Sequence, residues 1–377
     1  MKRYTVKDIP PNYFFSKPVY LDDDFVVAAP EMPFTPELVQ ILSEWDFREV
    51  LSEGEPRDSY AADTTKTQVV DLKLASTMAD AEKIKWAEKI FRESKAYVDE
   101  LFSAVIMSES VSYNRAAEWV RDSLDRIREN QRYLLRILKN MENTKEDYLV
   151  GHTVKSMIIA LIIGFYIRLP PHRLIELGVA ALFHETGMLK LPAKIYLNSR
   201  PLSPVEQKTL YAHPALGYNT LRSYGFPLAV SIAALEHHER ENGSGYPRRL
   251  TSDKISLYSK IIAVACSYDA ISSYRPHREA RDGYTGMLEL LKNEGKQYDD
   301  TIIRALVYSL SIYPIGLYVL LSSGKKGQVV DVNPENPRFP VVQIFGELNP
   351  DGKNKTQETM PEGLHIVRPL TREEIGS

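Results

Sequence analysis

The chain has 377 residues, a formal net charge of −3 and 44% hydrophobic residues. This length allows two or three domains with packed cores, and the slightly negative charge argues against a general nucleic-acid or membrane-surface binder. The single cysteine, Cys266, excludes an internal disulfide and suits a reducing compartment. The N-terminus lacks the apolar core of a signal peptide, and the longest apolar run, 157–167, has about half the length of a membrane crossing. We therefore predict a cytoplasmic protein without membrane insertion.

Residues 1–60 are predicted to form a small β-rich unit. Short apolar runs alternate with proline-containing or acidic turns, which is typical of short strands. These runs are 13–15, 18–21 and 25–29. The unit either only supports the rest of the chain, or it senses a signal or docks a partner.

Residues 61–144 are predicted to contain a polar linker followed by long amphipathic helices. Apolar residues recur at helical spacing between 78 and 143, with many charged residues between them. Helices of this kind either dock on a following helical domain or pair with a second subunit as a homodimer. Residues 145–312 continue the helical pattern, and 313–377 change to short apolar runs with Pro, Gly and Asn breaks, which predict a β-rich tail. The predicted fold class is mainly α.

Five of the eight histidines fall in a short part of the chain, inside or next to apolar helical patterns. They are His152, His184, His213, His237 and His238. A carboxylate, Glu185, directly follows the second of them. Imidazoles and carboxylates on neighbouring helices commonly hold first-row metal ions. The clustering therefore predicts a metal site, and we expect His172, His277 and His365 to be structural.

Two local features support this interpretation. Glu185 lies in an apolar stretch, which is an expensive position for a carboxylate unless a cation neutralises it. The pair His237 and His238 stands at the end of a predicted helix, where consecutive residues diverge by about 100° and can flank a shared cluster.

The order of these motifs closely resembles the HD-GYP family over roughly residues 145–310. The motifs are the histidines above, the segment Gly243-Ser244-Gly245-Tyr246-Pro247, and Arg275-Pro276-His277-Arg278. The resemblance implies an all-helical domain with two, sometimes three, iron or manganese ions. It also implies hydrolysis of cyclic di-GMP to pGpG or GMP by a hydroxide held between two metals.

The resemblance assigns roles to individual residues. The metal ligands would be His152, His184, Glu185, His213, His237, His238 and Cys266. Glu185 and His184 would act in catalysis, and Tyr148 replaces a glutamate that binds a third metal in some members, which favours two metals. Arg275, Arg278 and Tyr246 would bind the substrate.

Three positions depart from the family pattern at the catalytic centre. Glu185 replaces the aspartate that bridges the metals, and its extra methylene moves the carboxylate. Met188 replaces a lysine that contacts the phosphate. Cys266 replaces a metal-binding aspartate; it is either a thiolate ligand or simply a small core hydrophobe. Asp269 lies one helical turn further on, on the same face as Cys266.

These departures leave two functions open. The first is a metal-dependent cyclic di-GMP phosphodiesterase with reduced activity. The alternative is a catalytically inactive cyclic di-GMP receptor or protein-interaction scaffold on the same fold. A generic HD-type nucleotidase is disfavoured because the Gly245–Pro247 segment is well preserved.

Overall fold

The structure is a computed structural model. It describes residues 1–17, 19–20, 26–28, 34–36, 39, 42, 48–58, 78–138, 148–197, 200–273, 283–293, 295–333, 336–349, 354–370 and 374. The chain divides into two compact units, Met1–Lys73 and Leu74–Ser377. The predicted linker and the substrate-binding calls Arg275 and Arg278 lie outside the described residues.

The first unit is built from short strands, as its composition predicts. The strands are β1 (Lys2–Thr5), β2 (Phe14–Phe15), β3 (Val19–Tyr20), β4 (Val26–Ala28), β5 (Glu49–Ser52) and β6 (Pro56–Arg57). A four-stranded antiparallel sheet has the order β1-β5-β3-β4, and β2 pairs with β6. Fully buried Phe15, Val19 and Phe34 contribute to its own small core.

The second unit is mainly α-helical, which confirms the predicted fold class. Its helices are α1 (Met78–Ile106), α2 (Tyr113–Glu129), α3 (Gln131–Leu138), α4 (Tyr148–Tyr166), α5 (Pro171–Phe183), α6 (Ala193–Tyr196), α7 (Pro204–Leu210), α8 (His213–Ser223), α9 (Leu228–Glu236), α10 (Leu257–Ser272), α11 (Gly283–Lys292) and α12 (Asp300–Leu310). Short 3₁₀ turns span Thr186–Lys190 and Ser252–Lys254. Helix starts follow local capping rules: Ser203 and Glu206 form a capping box on α7, and Asp299 caps α12.

Helix α4 is the centre of this unit. It packs against α1, α5, α10 and α12. Its residues are apolar around the whole circumference, which is typical of a helix surrounded by other elements. By length and composition α4 could also cross a membrane, so the eleven-residue run seen in the sequence understated it. In the structure, 94% of its most apolar window is buried inside the protein.

The long helices before α4 dock on the helical domain. Ile90 and Val98 of α1, and Val120 and Leu124 of α2, belong to the same buried core as α4. Tyr97 and Trp119 stack at 4.4 Å between ring centroids and join α1 to α2. Of the two roles predicted for these helices, the structure supports docking; homodimer formation stays a prediction.

The chain ends in a small antiparallel sheet. Its strands are β7 (Tyr318–Leu321), β8 (Lys326–Asp331), β9 (Val341–Leu348), β10 (Asn354–Glu358) and β11 (Ile366–Pro369), in the order β10-β9-β8-β7-β11. Alternate residues of β7 are buried, as expected for a sheet with one face on a core. An ion pair of 2.8 Å between Arg132 and Asp331 joins this sheet to α3.

Candidate metal centre

The histidines and Glu185 lie mostly at helix ends. His184 follows the last residue of α5, His213 is the first residue of α8, and His237 follows the last residue of α9. His152 instead lies within α4. Side chains at helix ends can point into a space between elements, and here several of them converge.

Gly187 allows two of these elements to approach each other. A Cβ atom on this residue would lie 1.8 Å from the carbonyl oxygen of His213 and 2.6 Å from the amide nitrogen of Gly217. Real Cβ atoms do not come that close, so only glycine fits. The 3₁₀ turn after Glu185 therefore packs directly on α8, which brings Glu185 next to His213.

The ligand atoms form two groups within the described part of the chain. The four-ligand cluster consists of Glu185, His213, His237 and His238; the three-ligand cluster consists of His152, His184 and Glu185. Within each cluster the ligand atoms lie within 4.8 Å of one another. Glu185 belongs to both.

The two oxygens of Glu185 are divided between the clusters. Oε1 lies 3.6 Å from Nε2 of His152 and 3.8 Å from Nε2 of His184. Oε2 lies 3.7 Å from Nε2 of His213. This is the arrangement that a carboxylate bridging two positions requires.

Backbone carbonyls fix the orientation of three imidazoles. Nδ1 of His184 donates to Ala181 O at 2.7 Å, Nδ1 of His213 to Leu210 O at 2.7 Å, and Nδ1 of His237 to Ala234 O at 2.9 Å. A carbonyl oxygen only accepts, so the proton must be on Nδ1. In the neutral ring Nε2 is then left with a lone pair, which is how metal-binding histidines are commonly held.

Burial sets the protonation states that a metal requires. Burial lowers the pKa of His184 to about 4. Burial together with neighbouring imidazoles lowers the pKa values of His237 and His238 well below the ordinary value. Although burial acts to raise it, the charges of His213 and other histidines lower the pKa of Glu185 to about 2. At neutral pH these imidazoles are neutral and the carboxylate is ionised, so the ligands are ready for a cation.

The site leaves buried polar atoms that a cation would satisfy. Nε2 of His184 and Oε2 of Glu185 are buried without a hydrogen-bond partner. Nε2 of His213 lies 3.2 Å from Nε2 of His237, so two lone pairs face each other when both rings are neutral. Such groups are costly to bury unless they are paired. The residues therefore fit divalent metal ions with nitrogen and oxygen ligands.

Cys266 and Asp269 occupy different positions relative to the clusters. Cys266 is buried, its Sγ contacts Ala263 O at 3.6 Å, and it belongs to neither cluster. Asp269 instead accepts a hydrogen bond of 2.5 Å from Nδ1 of His152. Burial acts to raise the pKa of Asp269, but the hydrogen bonds from His152 and Ser273 and the charges of His152 and Lys155 together outweigh it and lower the pKa. Asp269 therefore orients the candidate ligand His152. Cys266 lies on α10, outside both clusters.

The Gly245–Pro247 loop is fastened to the turn that carries His238. A Cβ atom on Gly245 would lie 2.5 Å from His238 O, so the loop can pack there only with glycine. Tyr246 N donates to His238 O at 3.2 Å. The buried carboxylate of Glu239 accepts from Arg248 N at 2.6 Å and from Leu250 N at 2.9 Å. Glu239 thus holds the loop backbone, and the loop holds Tyr246 over the site.

Three aromatic rings stack outward from the four-ligand cluster. The ring of Tyr246 lies 4.7 Å from that of His238 and 4.2 Å from that of Tyr211, with interplanar angles of 18° and 21°. Gln207 Nε2 donates to the hydroxyl of Tyr211 at 2.9 Å. Tyr211 is 41% exposed, so the stack ends in an aromatic ring open to solvent.

Met188 brings no charge to the site. It is 5% exposed and belongs to the apolar core. The next lysine, Lys190, donates to Val105 O at the end of α1 and so points elsewhere. Arg240 is the cation beside His238, and its charge contributes to lowering the pKa of that histidine. Its guanidinium lies over the ring of Tyr298, 4.8 Å from the centroid.

No role was predicted from the sequence for Lys155, Tyr211 or Ser273. Lys155 could have been noticed in the sequence. It lies three residues after His152, on the same face of the helix, and it is the single Asp, Glu, Lys or Arg residue in the sequence of α4. The role of Tyr211 could not be predicted from the sequence, because it depends on the position of the loop that carries Tyr246.

The chain is similar to known proteins in sequence and in fold. Residues 136–302 match the family model of the HD domain. Cyclic di-GMP phosphodiesterase PdeB of Borreliella burgdorferi is 25% identical over 233 residues, covering 61% of this chain and 62% of the relative. A cyclic di-GMP phosphodiesterase of Pseudomonas aeruginosa is 28% identical over 265 residues, covering 70% and 63%. The chain thus spans about three fifths of the length of these two relatives.

A solved structure shows the same fold. An HDG"Y"P protein from Bdellovibrio bacteriovorus matches with a TM-score of 0.51 and 16% identity, covering 81% of this chain and 97% of the other. Residues 136–302, which match the HD domain, carry the histidine-rich candidate metal centre. The motifs of this chain resemble those of the HD-GYP family, and they differ from the family pattern at Glu185, Met188 and Cys266.

Proposed function

We propose that this protein is a metal-dependent phosphodiesterase that hydrolyses cyclic di-GMP to a linear product. The observation that carries the proposal is the division of the Glu185 oxygens between the four-ligand and three-ligand clusters. A buried carboxylate between two sets of imidazoles is suited to a pair of cations. Both relatives described above are cyclic di-GMP phosphodiesterases, which supports cyclic di-GMP as the substrate.

The proposed cofactor is a pair of divalent ions, iron or manganese. His213, His237 and His238 would hold one ion, His152 and His184 the other, and Glu185 both. Bound divalent ions supply Lewis acidity toward a phosphodiester and activate water for its hydrolysis. The chain's own contribution is to present neutral imidazoles and an ionised carboxylate in a buried, oriented array.

The substrate side of the site is aromatic and basic. Tyr211 and Tyr246 offer a stacked surface for a nucleobase, and base stacking on aromatic side chains is worth about 1–3 kcal/mol per base. Arg240 brings a positive charge beside His238. Arg275 and Arg278 are proposed to contact the phosphates, on the strength of the family resemblance.

We expect turnover to be slow. Met188 offers no cation to the phosphate, and removal of one transition-state donor typically costs about 10²–10³-fold in rate. Cys266 lies outside the three-ligand cluster, so that cluster has one carboxylate where the family pattern provides two.

The same two observations favour a second candidate function. A site that keeps its histidines and aromatic stack but lacks a phosphate-facing lysine and a metal-binding aspartate would still bind a cyclic dinucleotide. The protein would then act as a cyclic di-GMP receptor that signals to a protein partner.

The test is turnover of cyclic di-GMP by protein purified without oxygen and loaded separately with iron and manganese. Linear product is separated by chromatography, and nucleotide binding is measured by calorimetry on the same samples. A His184→Ala protein controls for contaminating enzyme. A second control, Glu118→Gln, changes an exposed glutamate on α2 and leaves the site intact.

The three outcomes separate the proposals. Product that disappears in His184→Ala establishes the phosphodiesterase. Binding without product refutes the enzyme and supports the receptor. If neither binding nor product is detected, both proposals are refuted, and a protein-interaction scaffold remains.

A further inference from the structure

A buried lysine lies behind the three-ligand cluster. Lys155 is 4% exposed in the middle of the apolar helix α4. A charged group in such a place is costly unless hydrogen bonds and charges compensate it. Its Nζ donates to Ser273 Oγ at 3.0 Å, at the end of α10.

The contacts continue from Ser273 to the metal site. Ser273 Oγ donates to Asp269 Oδ1 at 2.5 Å, and Asp269 Oδ2 accepts from His152 Nδ1 at 2.5 Å. His152 then turns Nε2 toward Glu185 Oε1, 3.6 Å away. We call the set Lys155, Ser273, Asp269 and His152 the Lys155 relay. All four of its members are buried.

The direction of every hydrogen bond in the relay follows from Lys155. An ammonium group only donates, so Ser273 Oγ must accept from it and give its own proton to Asp269. The carboxylate then only accepts, so His152 must donate from Nδ1. When the ring is neutral, Nε2 of His152 then carries the lone pair on the side of Glu185 Oε1.

We propose that Lys155 is a positioning residue for the metal ligand His152, acting through Ser273 and Asp269. The proposal rests on the proposed function, because it assumes that His152 binds a metal. Partners that orient a metal-binding histidine typically contribute about 10–100-fold to metal affinity. We therefore expect the relay to determine the affinity of one of the two metal equivalents, the one at the three-ligand cluster.

The experiment measures metal binding and does not depend on catalysis. Metal-free protein is titrated with zinc in competition with a chromogenic chelator, and the affinities of both equivalents are compared between wild type and Lys155→Met. Methionine keeps the length and apolar stem of lysine but cannot donate. The expected result is a loss of about 10–100-fold in one equivalent, with the other unchanged.

Ile159→Val is the matched control. Ile159 lies one turn after Lys155 on α4 and is 2% exposed, and both residues line one cavity of about 50 Å³. This variant disturbs the same core without touching the relay. We expect it to lower the melting temperature while both metal affinities stay as in wild type. Should Lys155→Met not fold, Ser273→Ala interrupts the relay at the helix end, and the same equivalent is expected to weaken.

Each outcome has one meaning. If folded Lys155→Met binds both metal equivalents with wild-type affinity, the positioning role is overturned. If Lys155→Met does not fold, the same result in Ser273→Ala overturns it. Equal weakening in Ile159→Val also overturns it, because the effect would then be general to the core. A wild-type protein that takes up no metal refutes the proposed metal-dependent function and this inference with it, whereas unaltered binding in the variants refutes the inference alone.

Discussion

The two clusters that share Glu185 are not equally complete. The four-ligand cluster has three imidazoles and a carboxylate oxygen, and two of its rings are fixed by backbone carbonyls. The three-ligand cluster has two imidazoles and the other oxygen, with Cys266 buried nearby in α10 but outside the group. In the four-ligand cluster, His213 and His237 lie at helix ends that converge. In the three-ligand cluster, His152 lies within a helix, and its orientation depends on the hydrogen bond to Asp269.

This difference shows that departures from a family's metal-binding pattern need not weaken both metal positions equally. The changed positions Cys266 and Met188 leave the four-ligand cluster intact. We therefore expect one tightly bound ion and one weakly bound ion, with the weak position controlling whether the enzyme turns over.

The largest effect is expected from Glu185→Gln, which removes the charge common to both clusters. Both equivalents should weaken, and any turnover should fall by roughly 10³-fold, a loss at the upper end of that for a single charge-stabilising group. Manganese should also no longer raise the melting temperature, because a ligand stabilises only the state that it binds. Glu118→Gln should behave as wild type in all three measurements. An unchanged metal-dependent shift in Glu185→Gln would contradict the bridging role.

The next comparison is between His237→Ala and His152→Ala. We expect His237→Ala to weaken the tight equivalent by at least about 100-fold, since even the outer partners of metal ligands contribute 10–100-fold. His152→Ala should leave that equivalent in place and remove the weak one. Isothermal titration with manganese distinguishes the two variants. If both lose the same equivalent, the clusters are not independent metal positions.

The three-ligand cluster should be repairable. Cys266→Asp places a carboxylate where the sulfur lies, and we expect the weak equivalent to gain about tenfold in affinity, the scale of one good ligand interaction. Cys266→Ala is the control for the view that the cysteine is only a small hydrophobe. Metal content after gel filtration measures both. A weaker second equivalent in Cys266→Ala would instead make the thiol a ligand.

An effect on nucleotide binding alone is expected at the aromatic stack. Tyr211→Ala should weaken cyclic di-GMP binding by about 5–150-fold, the equivalent of about 1–3 kcal/mol for one stacked base. Tyr211→Phe loses the hydrogen bond from Gln207 but keeps the ring, so its binding should stay within a few-fold of wild type. Neither variant should alter metal affinity. Equal binding by Tyr211→Ala and wild type would exclude Tyr211 from the nucleotide site.

The sequence predicted much of this arrangement because its signals are local. Apolar residues at helical spacing give the helices, and the breaks at Gly187 and Gly243 indicate that helices end near His184 and His237. The relay was not predicted, because Lys155 and Ser273 are far apart in sequence and a single lysine in an apolar helix does not reveal its partner. The length of α4 was also understated, since polar residues such as His152 and Lys155 interrupt the apolar run while the helix continues through them.

Gly187 binds no metal in this proposal, yet it sets a limit on how the chain can be redesigned. Its contact with the carbonyl of His213 leaves no room for a side chain. Replacement of Glu185 by aspartate shortens one side chain by a single methylene. Alanine at position 187, in contrast, would push apart the two elements that carry Glu185 and His213. An engineer who wants a faster enzyme can therefore vary the ligands, but every library should keep this glycine fixed.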